Sequence, residues 1–200
     1  MTIRPGEPWG EVVEPPAGLV VAADDGTLAR LLDLAAGDPV LVTGGDLLRT
    51  IGGPSRDGQR RRYPLDLLRV ELDGAPAVSA VAHVVVRRPG RLGWWRGPLW
   101  MAANVSHLGP WDVAPRAHPN DGRLDVVVVA GTMSVRTRRQ ARRRLRTGSH
   151  LPHPDITVTR AATATWRPGR GAVVIIDGGR PQRADAVTVT VDPDAALVHA

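Results

Sequence analysis

The 200-residue sequence contains no cysteine, no phenylalanine and only one tyrosine, and none of its positive side chains is a lysine. The lack of cysteine excludes disulfides, Cys-ligated zinc, iron–sulfur clusters and a thiol nucleophile, so any chemistry must use oxygen and nitrogen. With lysine absent, all 26 cationic side chains are arginines. Their planar forks suit phosphate, but the point-charge lysine that a P-loop sets on a phosphate is excluded. No apolar run approaches the ~20 residues that span a bilayer, and the opening Met1-Thr2-Ile3-Arg4-Pro5-Gly6 lacks the apolar core of a signal peptide. A cytoplasmic protein is the expectation.

What the chain does have is an ordinary hydrophobic content of 42%, a formal charge of +6 and a sequence pI near 11.3. That content suffices for one substantial core or two small lobes. Residues 1–17, rich in proline, read as an irregular lead-in or one edge strand. From Gly18 the pattern turns to strand (Leu19 to Ala23), helix (Thr27 to Leu34), strand (Pro39 to Val42) and short helix (Asp46 to Ile51), a small piece of α/β sheet. Gly52 to Arg62 reads as a linker.

Strands then follow closely: Leu65 to Leu72, Ala77 to Val86, Leu99 to Asn104 and Leu124 to Val129. After one helix, Ser134 to Arg146, come Ile156 to Thr159, Ala161 to Trp166, Ala172 to Asp177, Ala186 to Val191 and Ala196 to His199. The fold class expected is α+β: a small truncated α/β lobe over residues 1–60, then a larger antiparallel β-sandwich over residues 61–200 carrying one basic helix.

Three turns stand out as places where polar groups are held on this scaffold. Val20 to Thr27 is a strand that stops at Ala23-Asp24-Asp25-Gly26-Thr27 before a helix, and such a turn offers backbone N–H groups to an anion, although an ordinary N-capped helix fits the same residues. Val42-Thr43-Gly44-Gly45-Asp46 repeats the strand-to-helix turn. Near the C-terminus Val173 to Ile176 ends in Asp177-Gly178-Gly179, which also fits a plain hairpin turn. Between them, a Pro-punctuated loop from Val113 closes on the turn signal Asn120-Asp121-Gly122 and releases into a β-branched strand.

These segments resemble the signatures of the diacylglycerol kinase, sphingosine kinase and bacterial lipid kinase family, more remotely related to NAD kinases. Ala114-Pro115-Arg116-Ala117-His118-Pro119-Asn120-Asp121-Gly122-Arg123-Leu124-Asp125-Val126 is similar to the family's Ala-Pro-x-Ala-x-x-Asp-Asp-Gly-x-Leu-Asp-Val. Asp25, Gly26 and Thr27 match the end of its Gly-Gly-Asp-Gly-Thr, and Thr43, Asp46, Arg49 and Gly52 match its Gly-Thr-x-Asn-Asp-x-Ala-Arg-x-Leu-Gly. The resemblance implies ATP-dependent phosphoryl transfer to a lipid hydroxyl, with Mg²⁺ and ATP as cofactors. Asp25, Gly26, Thr27, Thr43 and Asp46 become the nucleotide-binding residues. Asp121, with the backbone carbonyls of His118 and Arg123, becomes the ligand set of a structural magnesium.

The chain departs from the family in four places. Ala23 and Asp24 replace two glycines, and Asp24 adds a carboxylate where phosphates would approach. Gly45 replaces an Asn. Gly179 replaces the Glu that is the general base in active relatives, and general-base catalysis is worth on the order of 10²- to 10⁴-fold. The strand that opens the nucleotide lobe is missing, so that lobe reads as truncated.

The helix Ser134 to Arg146 carries Arg136, Arg138, Arg139, Arg142, Arg143, Arg144 and Arg146, and no acidic residue lies between Asp125 and Asp155. Arg136, Arg139, Arg142, Arg143 and Arg146 form the surface expected to meet an anionic membrane, with a merely solvated face as the plain alternative. Nucleic acid is not expected, because no reading motif or stacking aromatic accompanies the arginines. Trp94 and Trp95 beside Arg91 and Arg96 suit either a lipid interface or core packing. Two readings stand: a lipid kinase relative with weak or no catalysis, and a non-catalytic module for lipid, anionic membrane or a partner. Either is cytoplasmic, peripheral at the inner membrane face in the membrane-binding case, and a homodimer that completes the cleft in trans is compatible with the sequence.

Overall fold

The computed structural model describes residues 9–34, 38–54 and 59–200. In chain order its elements are β1 (Glu11–Val13), β2 (Val20–Ala22), α1 (Asp25–Leu34), β3 (Val40–Val42), α2 (Gly45–Thr50), β4 (Arg60–Leu72), β5 (Val78–Ala80), β6 (His83–Arg87) and β7 (Leu99–Ala103). After β8 (His107–Leu108), β9 (Trp111–Asp112) and β10 (Leu124–Val129) comes α3 (Val135–Arg144), which tightens into a 3₁₀ turn at Leu145–Thr147. The chain ends in β11 (Ile156–Ala161), β12 (Thr163–Trp166), β13 (Ala172–Ile176), β14 (Gln182–Ala184) and β15 (Val187–His199).

Two sheets face each other. One has the order β1-β4-β15-β3-β2, with β12 also on β15 and β5 also on β4; the other runs β11-β10-β7-β6-β13-β14. Pairing is antiparallel except where β3 lies parallel to both β2 and β15. The α/β strands thus continue the first sheet. The α+β, sandwich-dominated class expected from the sequence is the fold observed.

Leu68, Val70, Val84, Val86, Leu124 and Val126 are among the residues that fill the space between the sheets. Alternation along β6, β7 and β10 sends Val85, Met101 and Val127 to the opposite face, where Val113, Ala114 and Ala117 help to bury them. A sheet covered on both faces explains why Val84-Val85-Val86 and Val126-Val127 show no polar alternation. A third cluster lies under α1 and α2, built from Leu28, Val40, Leu47, Leu65, Val81 and Val105.

Three boundaries differ from the expectation. Arg60–Arg62, assigned to the linker, begin β4 and pair with β1, while the linker's residues 55–58 lie outside those described. The apolar run Ala77 to Val86, expected as one strand, breaks at Val81 and Ala82 and crosses between sheets. Three consecutive N–H groups at that break turn to the distant Asp177 carboxylate, a partner no local pattern reveals. Ala186 to Val191 and Ala196 to His199 form one strand, interrupted only by a bulge between Asp192 and Ala196. β8, β9 and β14 are too short for a periodic signal.

Candidate functional site

The turn after β2 is organised by its own carboxylates. Asp24 accepts the Thr27 N–H at 2.7 Å and the Thr27 hydroxyl at 3.1 Å, the geometry of an N-cap on α1. The Thr27 N–H bond holds its carboxyl below the usual range. Asp25 turns inward, only 6% exposed, and accepts the N–H groups of Asp46 at 2.6 Å and Leu47 at 3.1 Å, so it caps α2. Burial pushes its carboxyl up to about 6, against the pull of those two donors. Gly45, at φ +98°, makes this seat available: a Cβ there would stand 2.4 Å from the Asp25 carboxylate. A side chain at position 45 and the seated Asp25 carboxylate therefore cannot share this space.

The remaining matched residues are engaged in the same way. Thr43 gives both its N–H and its hydroxyl to the Ala22 carbonyl. Asp46 accepts the Gly109 N–H at 2.7 Å, and burial raises its carboxyl. Thr50, Ser106 and His107 form a hydrogen-bonded chain that ties α2 to β8, with Ser106 Oγ 2.8 Å from His107 Nδ1. Gly26 lies with its Cβ position 3.5 Å from the Asp177 carbonyl, which leaves little room between α1 and the β13 turn.

Asp177, at φ +45°, places its carboxylate on the N–H groups of Val81, Ala82 and His83 at 2.8–2.9 Å. Burial pushes it up to about 7, opposed by those donors and reinforced by Asp25. Its role is to stitch the β5–β6 break to β13. Gly179, at the family's general-base position, is exposed and brings no side chain. Beside this cluster lies His83, 2% exposed, its Nε2 without a hydrogen bond and its Nδ1 3.9 Å from Asp46; burial drives its pKa down to about 4, so the ring is neutral.

The Asn120-Asp121-Gly122 turn is built around Asp66. That carboxylate, wholly buried within β4, accepts the N–H groups of Gly122 at 2.6 Å and Asp194 at 2.9 Å and the Asn120 amide at 3.3 Å. Asp121 accepts the Arg123 N–H at 3.0 Å with one oxygen and forms an ion pair with Arg160 through the other. His118 Nδ1 accepts the Asn120 N–H. Asp121, the acidic member of the ligand set that the resemblance implies, is thus paired with the Arg160 guanidinium and the Arg123 N–H. Among the described residues, no three His, Asp or Glu side chains are grouped as metal ligands.

A phosphate approaching α1 or α2 meets a carboxylate already bonded to the N–H groups it would need. Asp25, Gly26, Thr27, Thr43 and Asp46 do come together, but as a self-satisfied junction between β2, α1, α2 and β8.

A second feature lies on the outer face of the second sheet, where a cavity of about 470 Å³ opens between β6, β7, β10 and α3. Met101 and Val127 belong to its floor, Trp94, Trp95 and Trp111 to its walls, and Ala141 lines it from α3. Arg136, Arg139, Arg142, Arg143 and Arg146 are exposed on α3 and the turn after it, as expected. Arg138 is not part of a wet stripe. Only 6% exposed, it donates to the carbonyls of Ala130 at 3.0 Å, Trp94 at 3.2 Å, Met133 at 3.4 Å and Gly97, and so fastens α3 to the tryptophan loop.

Sequence reading missed Asp66, His83 and Arg138 as structural centres. For the first two the signal was there, a titratable residue inside an apolar strand run, Leu65-Asp66-Leu67-Leu68 and Ala82-His83-Val84. Arg138 gave none, since six other arginines surround it on the same helix and turn.

A two-sheet sandwich with an α/β flank, motif turns at the flank and a basic helix over an apolar cavity define a lipid-kinase-type lobe. Residues 62–200, more than half of the chain, match the YegS C-terminal NAD kinase beta sandwich-like domain, and the chain belongs to that family, as its motifs implied. Two solved structures of a candidate diacylglycerol kinase from Bacillus anthracis str. Sterne superpose with TM-scores of 0.66 and 0.65 at 13% and 14% identity, covering 90% of this chain and 76% and 77% of theirs. A third, of a diacylglycerol kinase from the same strain, gives 0.61 at 16% identity over 90% of this chain and 74% of that one. At such identities the likeness speaks for the fold, and it reaches into the α/β flank. No curated protein matches the chain.

Proposed function

We propose that this chain is a lipid kinase-family protein without working phosphoryl transfer, whose β-lobe binds anionic membrane surfaces. The observation that carries this reading is the pair of carboxylates, Asp24 and Asp25, capping both helices where a nucleotide's phosphates would sit. Gly179 adds to it, since general-base help worth on the order of 10²- to 10⁴-fold has no side chain to supply it there. In this reading residues 1–60 are an α/β lobe kept for its packing, residues 61–200 are the binding lobe, and neither ATP nor Mg²⁺ binds tightly.

The membrane half rests on α3. Arg136, Arg139, Arg143 and Arg146 are exposed, and Leu92 and Trp94 on the adjoining loop are 55% and 41% exposed. At about 1 kcal/mol per basic residue near an anionic leaflet, four of them contribute on the order of 4 kcal/mol. That is close to a thousandfold in binding. Among the described residues no helix is long and apolar enough to cross a membrane, so contact through this face would be peripheral, at the anionic inner leaflet.

Two titrations test the reading. Mg-ATP up to millimolar concentration is expected to leave the melting temperature unchanged, whereas ligand at 100 times its Kd would add about 2.7 kcal/mol. Sedimentation with phosphatidylserine-containing vesicles is expected to carry the protein down, less so at high salt, and the combined Arg136→Gln, Arg139→Gln, Arg143→Gln and Arg146→Gln variant is expected to stay in the supernatant. Saturable ATP stabilisation would overturn the first half, and vesicle binding indifferent to those substitutions the second.

A further inference from the structure

The exposed arginines of α3 and its closing turn carry charge that no acidic partner neutralises. Arg136, Arg143, Arg144 and Arg146 make no ion pair among the described residues, and no Asp or Glu lies between Asp125 and Asp155. Two hydroxyls stand at the end of this run. Thr147 and Ser149 are both exposed, with their oxygens 2.8 Å apart. Thr147 gives its proton to the Arg144 carbonyl at 3.2 Å, so Ser149 is the donor between the two. Ser149 already lies beyond the helix, because Gly148, at φ +63°, turns the chain through the left-handed region. Long hydrogen bonds hold this turn, at 3.4 Å from the Gly148 N–H to the Leu145 carbonyl and 3.2 Å from the Ser149 N–H to that of Arg144.

We propose that Ser149 is a phosphorylation site for an arginine-directed serine/threonine protein kinase, and that its phosphoryl group weakens the attachment of α3 to anionic surfaces. The sequence sets the kinase class. Of the five serines, only Ser149 has arginines three and five residues before it, Arg146 and Arg144, and kinases select substrates by such charge patterns. In the transfer, Ser149 Oγ bonds to the γ-phosphorus of ATP held by the kinase, the bond from that phosphorus to the β–γ bridging oxygen breaks, and ADP leaves. The hydroxyl proton passes to the kinase's aspartate. Asp112 sets the direction of the new group. It closes the inner side of the turn, where a Cβ on Gly148 would stand 2.7 Å from its carboxylate, so the phosphoryl group faces outward, among the arginines. It brings about −1.5 to −2 charges. That cancels the contribution of about two of the four arginines assigned to the leaflet, a loss of roughly 10- to 30-fold in binding. The effect on binding rests on the membrane reading above; the modification itself does not.

The test incubates the purified protein with ATP, Mg²⁺ and a protein kinase of Arg-x-Arg-x-x-Ser specificity, then maps the product by mass spectrometry. One phosphoryl group is expected, on Ser149. It should be lost in Ser149→Ala and in Arg144→Gln combined with Arg146→Gln, and retained in Thr147→Ala. Sedimentation with phosphatidylserine-containing vesicles follows. The phosphorylated protein is expected to bind roughly 10- to 30-fold more weakly than the unmodified one, while Ser149→Ala, carried through the same kinase treatment, binds as the unmodified protein does. No incorporation, or incorporation that Ser149→Ala leaves unchanged, would overturn the site, and a phosphorylated Ser149 with undiminished vesicle binding would overturn the switch. If the unmodified protein does not sediment with vesicles, the membrane reading and the switch fail together, while incorporation at Ser149 still decides the site.

Discussion

Gly45→Ala probes the packing that seats Asp25, on which the proposed exclusion of nucleotide rests. At φ +98° an alanine is strained whatever its surroundings, at roughly 1–2 kcal/mol. Its Cβ would also stand 2.4 Å from the Asp25 carboxylate. That side chain cannot remain seated, and expelling it costs the cap on α2, about 0.5–2 kcal/mol. Together the substitution should cost about 2–4 kcal/mol. With a urea slope of about 2 kcal/mol/M, the unfolding midpoint falls by about 1–2 M. A double-mutant cycle with Asp25→Ala separates the parts. Once the carboxylate is gone the collision disappears and only the backbone strain remains, so the coupling should be about 0.5–2 kcal/mol. If Gly45→Ala cost the same in both backgrounds, Asp25 would not occupy the space above Gly45, and the argument that this site is closed to phosphate would fail with it.

Two further outcomes follow from buried charge. Asp125, 2% exposed in β10, is pushed up to about 6 by burial, so the native state holds its proton more tightly than the unfolded chain does; its contribution is therefore present at pH 4 and lost as pH rises through 6. Asp125→Asn should be nearly neutral at pH 4 and stabilising by up to about 3 kcal/mol at pH 7.5, and urea melts showing the same difference at both pH values would contradict this. Arg138→Met takes the donor from one buried and three part-buried carbonyls and should cost about 2–4 kcal/mol with loss of near-UV tryptophan ellipticity, and Arg138→Lys should not rescue it, lacking the planar fork. Arg143→Gln on the exposed face should stay within about 0.5 kcal/mol in the same thermal melt; equal costs for the two positions would show that Arg138 is not the fastening.

The sandwich was legible because its evidence is periodic and local. Valine runs bounded by Asp-Gly and Pro-Gly turns mark strands wherever they pair, and the strand Leu124 to Val129 was placed at its observed limits. What could not be read is where a polar side chain spends its hydrogen bonds, since that depends on residues far away in sequence. Asp177 holds N–H groups 94 to 96 residues distant, and Asp66 holds turns 56 and 128 residues away. The resemblance names Asp25 and Asp121 by the chemistry it implies, yet both, like Asp24, Asp66 and Asp177, are bonded within this chain. A carboxylate left without a nucleotide, metal or substrate must find other donors when buried, because leaving it unpaired costs more than any local rearrangement. In this chain the helix N-termini and a strand break supply those donors, so under the proposed reading losing the ligand and closing its site are coupled through the helix N–H groups. On that proposal, opening a nucleotide site would require more than a glutamate in place of Gly179. It would need Asp24 and Asp25 removed and the caps of both helices given to the incoming phosphates, a change that destabilises the free protein before it improves binding.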